Sequence, residues 1–342
     1  MKYRHRAWFL VALSVAACDP GPAEPVEGPF LGAQAEVYLD AALDVMEFNS
    51  IRRYEIDWPA FREAARADAE QAGAVAPSDT YPAIEAALER IGDNHSFFRP
   101  PAGAQLAASS EAAAGPAAVD PSTLLVAPGV GYVDVPAYSG GGAEGDALAA
   151  TYHRLIENVD SLGTSCRWVI DLRGNTGGNM WPMLAGIGPV LGADTVGYFV
   201  DPDSVLTSWF YEAGIAGVND IAIATASPSY ELVSPRPFVA VLTDGETASS
   251  GEAIAVAFRG RAGARSFGES TWGVSTANAA FPLSDGAVIF LTVATMADRL
   301  GTVYGQELVP DEFVVGGTKT GDVATDAVLD AAVTWLQGQV CS

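Results

Sequence analysis

Lysine is almost absent from this 342-residue chain, which has only Lys2 and Lys319. Histidine is nearly as scarce, with His5, His95 and His153, and cysteine stops at Cys18, Cys166 and Cys341. These shortages narrow the chemistry. Three histidines and three scattered cysteines give no plausible cluster with metal-ligand spacing, so the sequence calls for no metal and no cofactor. A glycine loop closing on Lys-Ser or Lys-Thr, the phosphate-binding pattern, is also missing. Basic residues number 18 against 42 acidic, a formal net charge of −24. That balance argues against nucleic acid as a partner, because affinity for phosphate backbones comes largely from Lys and Arg. It also repels anionic membrane surfaces.

What is present begins with Lys2, Arg4 and Arg6, followed by the apolar run Ala7 to Ala17. Such a run matches the core of a signal peptide and is too short to span a bilayer. Val15-Ala16-Ala17-Cys18 resembles the lipobox of bacterial lipoproteins, which implies removal of residues 1–17 and lipidation of Cys18. Residues 18–32 are proline-rich at first and read as a tether. The expectation is a soluble body in the periplasm or cell envelope, touching the membrane through an N-terminal lipid anchor alone.

Residues 33–99 read as a small helical domain. Ala33 to Phe48 is amphipathic, Asp57-Trp58-Pro59 is a cap with proline in the first turn, and Tyr81 to Ile91 places Ile84, Leu88 and Ile91 on one face. Residues 100–122, rich in Ala, Pro, Gly and Ser, read as a linker or exposed loop. From 123 to 342 short β-rich runs (Val130 to Val135, Trp168 to Leu172, Phe238 to Thr243, Val288 to Thr295) alternate with helical stretches such as Glu144 to Val159 and Thr325 to Gln337. That alternation predicts a layered α/β core. Whether Cys166 and Cys341 pair is left open by their spacing.

Three stretches could carry chemistry. In Leu242 to Phe258 a strand turns into a helix whose first turn holds Ser249, where the helix amino terminus favours developing negative charge. The same text, Ser249-x-x-Glu252, is also a capping box. In Val169 to Pro182 a strand ends in a loop containing Gly174, Gly177 and Gly178, a source of backbone N–H groups for an oxyanion, with Asp171 and Arg173 bracing it as an ion pair. The third stretch is Gly92-Asp93-Asn94-His95-Ser96-Phe97-Phe98. An activated serine needs a base. Lys2 and His5 fall in the leader, Lys319 in a late loop, and His153 beside a helical stripe where it reads as solvated, which leaves His95.

Taken in order, Asp93-Asn94-His95-Ser96, Asp171 to Gly178 and Thr247 to Glu252, then Gly268 to Gly273 and Pro310-Asp311, resemble the family of carboxy-terminal processing peptidases and the tricorn core. The resemblance covers most of residues 33–315. It implies a crotonase- or Clp-protease-like spiral of β-β-α units and hydrolysis of peptides through an acyl-enzyme. Ser249 would be the nucleophile, with oxyanion donors from the backbone of Ser250, Gly177 and Gly178. Val274 and Ser275 stand where processing members carry a catalytic lysine, so the histidine-using branch of the nisin-resistance type fits better, with His95 as general base. There is no room between His95 and the core for a PDZ domain.

These readings together describe an exported serine-type endopeptidase acting on peptides or unfolded protein. For orienting His95, Asp93, Asn94, Glu252, Asp298, Glu269 and Glu307 stand as candidates, as does a dyad with no carboxylate. The readings set against it are a non-catalytic ligand- or peptide-binding protein on the same fold and, less compatible with export, an acyl-CoA enzyme of the crotonase type.

Overall fold

The computed structural model describes residues 29–101, 120–163, 166–316 and 319–341. The signal segment, Cys18, most of the tether and most of the 100–122 linker lie outside the described residues. Three helices come first: α1 (Ala33–Asn49), α2 (Trp58–Gln71) and α3 (Tyr81–Ile91). The Asp57 side chain accepts the Ala60 N–H and Pro59 occupies the first turn of α2, so this helix starts where a cap and a donor-free residue were expected. α3 stops at Gly92, which takes the left-handed conformation at φ +70°.

The rest of the chain is β1 (Phe97–Arg99), β2 (Ser122–Ala127), β3 (Val130–Asp134), α4 (Gly142–Asp160), β4 (Arg167–Asp171), α5 (Met180–Leu191), β5 (Asp194–Val200), β6 (Leu206–Glu212), β7 (Ile215–Val218) and β8 (Ile221–Thr225). It continues through β9 (Phe238–Thr243), α6 (Ser250–Phe258), β10 (Ala264–Gly268), β11 (Thr276–Pro282), β12 (Val288–Asp298), β13 (Glu312–Phe313) and α7 (Ala327–Gln337). One sheet has the order β13-β10-β9-β4-β3-β2, parallel except for the β2–β3 pair. The other is antiparallel, β1-β12-β5-β6-β7-β8, with β11 also on β12. The fold is therefore mixed α/β, as expected.

Parallel strands bury both faces, and β4 shows it residue by residue. Trp168 and Ile170 enter a core with Tyr152 of α4, Leu184 of α5 and Ile254 of α6, while Val169 turns to α7 and packs with Leu329 and Leu336. The helical segment closes a third core in which Ile289 and Leu291 of β12 join Leu39, Leu43, Ile84 and Leu88. Its inner face thus rests on the antiparallel sheet. Cys166, just before β4, is disulfide-bonded to Cys341 beyond α7, with Cα atoms 5.8 Å apart, which ties the chain end to the parallel sheet.

Candidate active site

The ends of neighbouring parallel strands form the floor of the site. Beyond β9, Asp244 accepts N–H bonds from Gly174, Glu246 and Thr247. Ala248 N–H donates to the Asn175 carbonyl at 2.9 Å, so the loops after β4 and β9 are laced together. Behind them Arg173 donates to both Asp171 and Asp326, all three almost fully buried, and the expected Asp171–Arg173 pair is thus one half of a three-residue network.

Between that turn and α6 stands Ser249, at φ +52° and ψ −113°. A non-glycine residue is held there only when its surroundings over-determine it, at a cost of about 1–3 kcal/mol. The restraint comes from Glu252, wholly buried, whose carboxylate accepts Ser249 N–H at 2.8 Å, Thr271 Oγ1–H at 2.6 Å, Gly273 N–H at 3.1 Å and Val274 N–H at 3.0 Å. Burial pushes the Glu252 carboxyl upward from its ordinary value, and these four donors pull against that. Glu252 therefore shapes the turn and is not directed at His95.

His95 follows α3 in a loop fixed by side chains. Asp93 accepts N–H bonds from His95 and Ser96 and the Ser96 hydroxyl, and Asn278 of β11 donates to the His95 carbonyl. The imidazole lies with Nε2 3.0 Å from Ser249 Oγ and Nδ1 2.7 Å from Thr276 Oγ1, at the start of β11. If Nε2 accepts the serine proton, Nδ1 carries the hydrogen and donates it to Thr276. Burial holds the His95 pKa below its ordinary value, with Asp93 opposing, so the ring is neutral at pH 7.

The fold brings His95 and Ser249 within hydrogen-bond reach, and it sets Asp93 and Glu252 on the backbone of the two loops, not on the imidazole. Among the described residues no carboxylate touches the His95 ring. Asp93 bonds the backbone, the exposed Asn94 sits at φ +58°, Asp298 bonds Leu300, Thr302 and Tyr304, and Glu269 accepts from Gly316. Glu307 has no bond to the ring either. Thr276 went unnoticed because a threonine carries no titration signal; its clue was its place just beyond Gly273-Val274-Ser275. His153 also needs correction. It is 1% exposed, shares the buried face of α4 with Ala149, Tyr152 and Ile156, and lies 2.9 Å from the Ala185 carbonyl. The face is turned one residue from the stripe read in the sequence.

Gly177 is a further correction. Its N–H donates to Asn175 Oδ1 at 2.9 Å and is unavailable to an oxyanion. Its importance is steric: at φ +104°, a Cβ there would lie 2.9 Å from both the Ser249 Cβ and the Ala248 carbonyl oxygen. Gly178 and Ser250, joined by a 2.7 Å bond from Ser250 Oγ to the Gly178 carbonyl, line the cleft beside Ser249, and neither amide has an acceptor among the described residues. The cleft measures about 1480 Å³ and has mostly apolar walls, including Met180, Trp181, Phe199, Phe281, Phe290 and Met296. Where a lysine would have made a different site, Val274 lines the cleft, and Ser275 Oγ donates to the Gln306 carbonyl. No group of His, Cys, Asp or Glu among the described residues could hold a metal ion.

Residues 129–314, which span the glycine loop and Ser249 but not His95, match the model of peptidase family S41. The chain is 26% identical over 263 residues to the nisin-resistance protein of Lactococcus lactis subsp. lactis, covering 77% of this chain and 75% of that protein. Among solved structures, a lipoprotein from Streptococcus agalactiae superposes with a TM-score of 0.68 at 20% identity, over 91% of this chain and 99% of the other. The photosystem II D1 C-terminal processing protease gives 0.58 at 16% identity, over 86% and 96%. At these identities the two structures speak for a shared fold.

Proposed function

The chain belongs to peptidase family S41, and from that premise we propose that it is an exported serine-type endopeptidase with Ser249 as nucleophile and His95 as general base. The observation that carries the proposal is the 3.0 Å approach of His95 Nε2 to Ser249 Oγ on the wall of an open cleft. His95 takes the hydroxyl proton as Oγ attacks a peptide carbonyl, and the Gly178 and Ser250 amides receive the oxyanion. The imidazolium, held through Nδ1–H by Thr276, then protonates the leaving amine, and a water repeats the sequence on the acyl-enzyme. Peptides and unfolded protein are the substrates that such a cleft admits.

Placement outside the cytoplasm rests on the leader and Cys18 motif. The lipoprotein from Streptococcus agalactiae, with the same fold, is compatible with an anchored catalytic body. The purified protein, beside Ser249→Ala and His95→Ala, should cleave members of a mixed peptide library read by mass spectrometry, with both variants at background. Wild-type protein that is silent on peptides and unlabelled by a fluorophosphonate serine probe would replace this reading with a peptide-binding one.

A further inference from the structure

Beyond His95 the chain enters β1, whose residues alternate between two environments. Phe98 turns to the helical core, its ring 4.9 Å from that of Tyr81, while Phe97 and Arg99 line the cleft. Phe97 stacks on Phe290 of β12 with centroids 4.6 Å apart, and the Arg99 guanidinium lies 4.6 Å from the same Phe290 centroid. This aromatic seat restrains a long side chain that would otherwise lose much rotamer freedom on binding. Two arginines line the cleft. Arg53 is held by Asp203 at 2.6 Å, whereas Arg99 has no carboxylate partner among the described residues. The acidic residues of the cleft wall are Asp201, which accepts the N–H groups of Asp203 and Val205, and Glu246, beside the nucleophile turn. In a chain of net charge −24, an exposed guanidinium seated on an aromatic ring without a counter-ion is an unfilled half of an ion pair.

We propose that Arg99 binds a carboxylate of the peptide substrate and so sets where cleavage falls. This rests on the peptidase reading of Ser249 and His95. A guanidinium presents a planar fork that matches a carboxylate through two parallel hydrogen bonds. Arg99 lies four residues from His95, a backbone span of at most roughly 13 Å at about 3.3 Å per residue. An extended substrate running beside β1 places the bound carboxylate three to five residues from the scissile bond. The chain's overall negative charge disfavours acidic peptides in general, so an acid helps at that register and hinders elsewhere. The carboxylate can belong to an internal Asp or Glu or to the substrate's C-terminus.

The test is a neutral ten-residue peptide carrying one Glu moved through every position, each version with a free and an amidated C-terminus. Wild-type protein should show kcat/KM raised about tenfold at one register, mainly through KM. Arg99→Ala should erase that rise, and Arg99→Glu should transfer the preference to Lys at the same register. The rise following the free C-terminus identifies a terminal carboxylate; its persistence in amidated peptides identifies a side chain. Binding of the same peptides to Ser249→Ala, with and without Arg99→Ala, is read by fluorescence anisotropy. Arg99-dependent binding without wild-type cleavage keeps the subsite and removes the peptidase reading. Cleavage whose Glu profile survives Arg99→Ala overturns the subsite alone, and an Arg99-independent profile in both assays overturns it whatever the catalysis.

Discussion

The chain's two described histidines are both desolvated, both held below their ordinary pKa by burial, and both bonded at each ring nitrogen, yet their surroundings differ in kind. His153 Nδ1 accepts the Tyr230 N–H at 2.8 Å, and Nε2 faces the Ala185 carbonyl at 2.9 Å. A backbone amide only donates and a carbonyl only accepts, so one neutral tautomer is fixed and protonation at Nδ1 must break a bond. His95 lies between the hydroxyls of Ser249 and Thr276, each able to donate or accept. Its ring can gain and lose a proton with its neighbours in place. Partner chemistry and access to the cleft distinguish His95, the proposed base, from His153; burial and pKa direction do not.

His95→Ala should lower kcat/KM by about 10⁴-fold or more and leave the urea midpoint near the wild-type value. His153→Ala should do the reverse, costing about 2–4 kcal/mol of stability because the Ala185 carbonyl and Tyr230 N–H are left buried and unpaired. Its kcat per folded molecule should be unaltered. Parallel urea titrations and active-site titration of both variants decide it, and a stable, inactive His153→Ala would dissolve the distinction.

A smaller effect is expected at Thr276, whose hydroxyl lies 2.7 Å from His95 Nδ1 and would position the ring. Thr276→Val removes the acceptor for Nδ1–H, and a loss of roughly 10–100-fold in kcat is expected. The lost hydrogen bond had favoured the charged ring, so the acid limb of the pH–rate profile should also move to lower pH. Thr276→Ser should restore both. A fall in kcat with an unmoved limb would mean that Thr276 serves packing alone.

Legibility in the sequence followed the same line between local and long-range chemistry. α2, α3 and β4 were readable because a cap, a terminating glycine and an uninterrupted apolar run each act within a few residues. The strands β5 to β8 went unread because register shifts at Thr195/Gly197 and Ala216/Gly217 break the two-residue alternation that would have announced them. His95 was singled out because scarcity left few candidate bases, whereas Ser249 was singled out because a strand turning into a helix puts it at a helix amino terminus. Gly177 was assigned a donor role because a sequence cannot show that Asn175, two residues earlier, already accepts its N–H. Thr276 meets His95 across 181 residues, a proximity produced by sheet pairing and by nothing local.

The finest division between the histidines is by pH. An unfolded histidine titrates near 6.5, and both folded values lie lower because burial disfavours the imidazolium. Between the folded pKa and about 6.5 the unfolded chain therefore binds more protons, so stability rises with pH. The contribution is complete above about pH 6.5 and is lost as pH falls through the folded values. Urea midpoints should decline from pH 7.5 to 5.5, and His95→Ala and His153→Ala should each flatten part of that decline, independently if the sites are uncoupled. Activity should separate what stability adds together. The acid limb of kcat/KM reports His95 alone, lies below pH 6.5, and should be the same in His153→Ala as in the wild type. A limb that moved with His153→Ala would place His153 in the catalytic titration and undo the assignment of His95 as the one base.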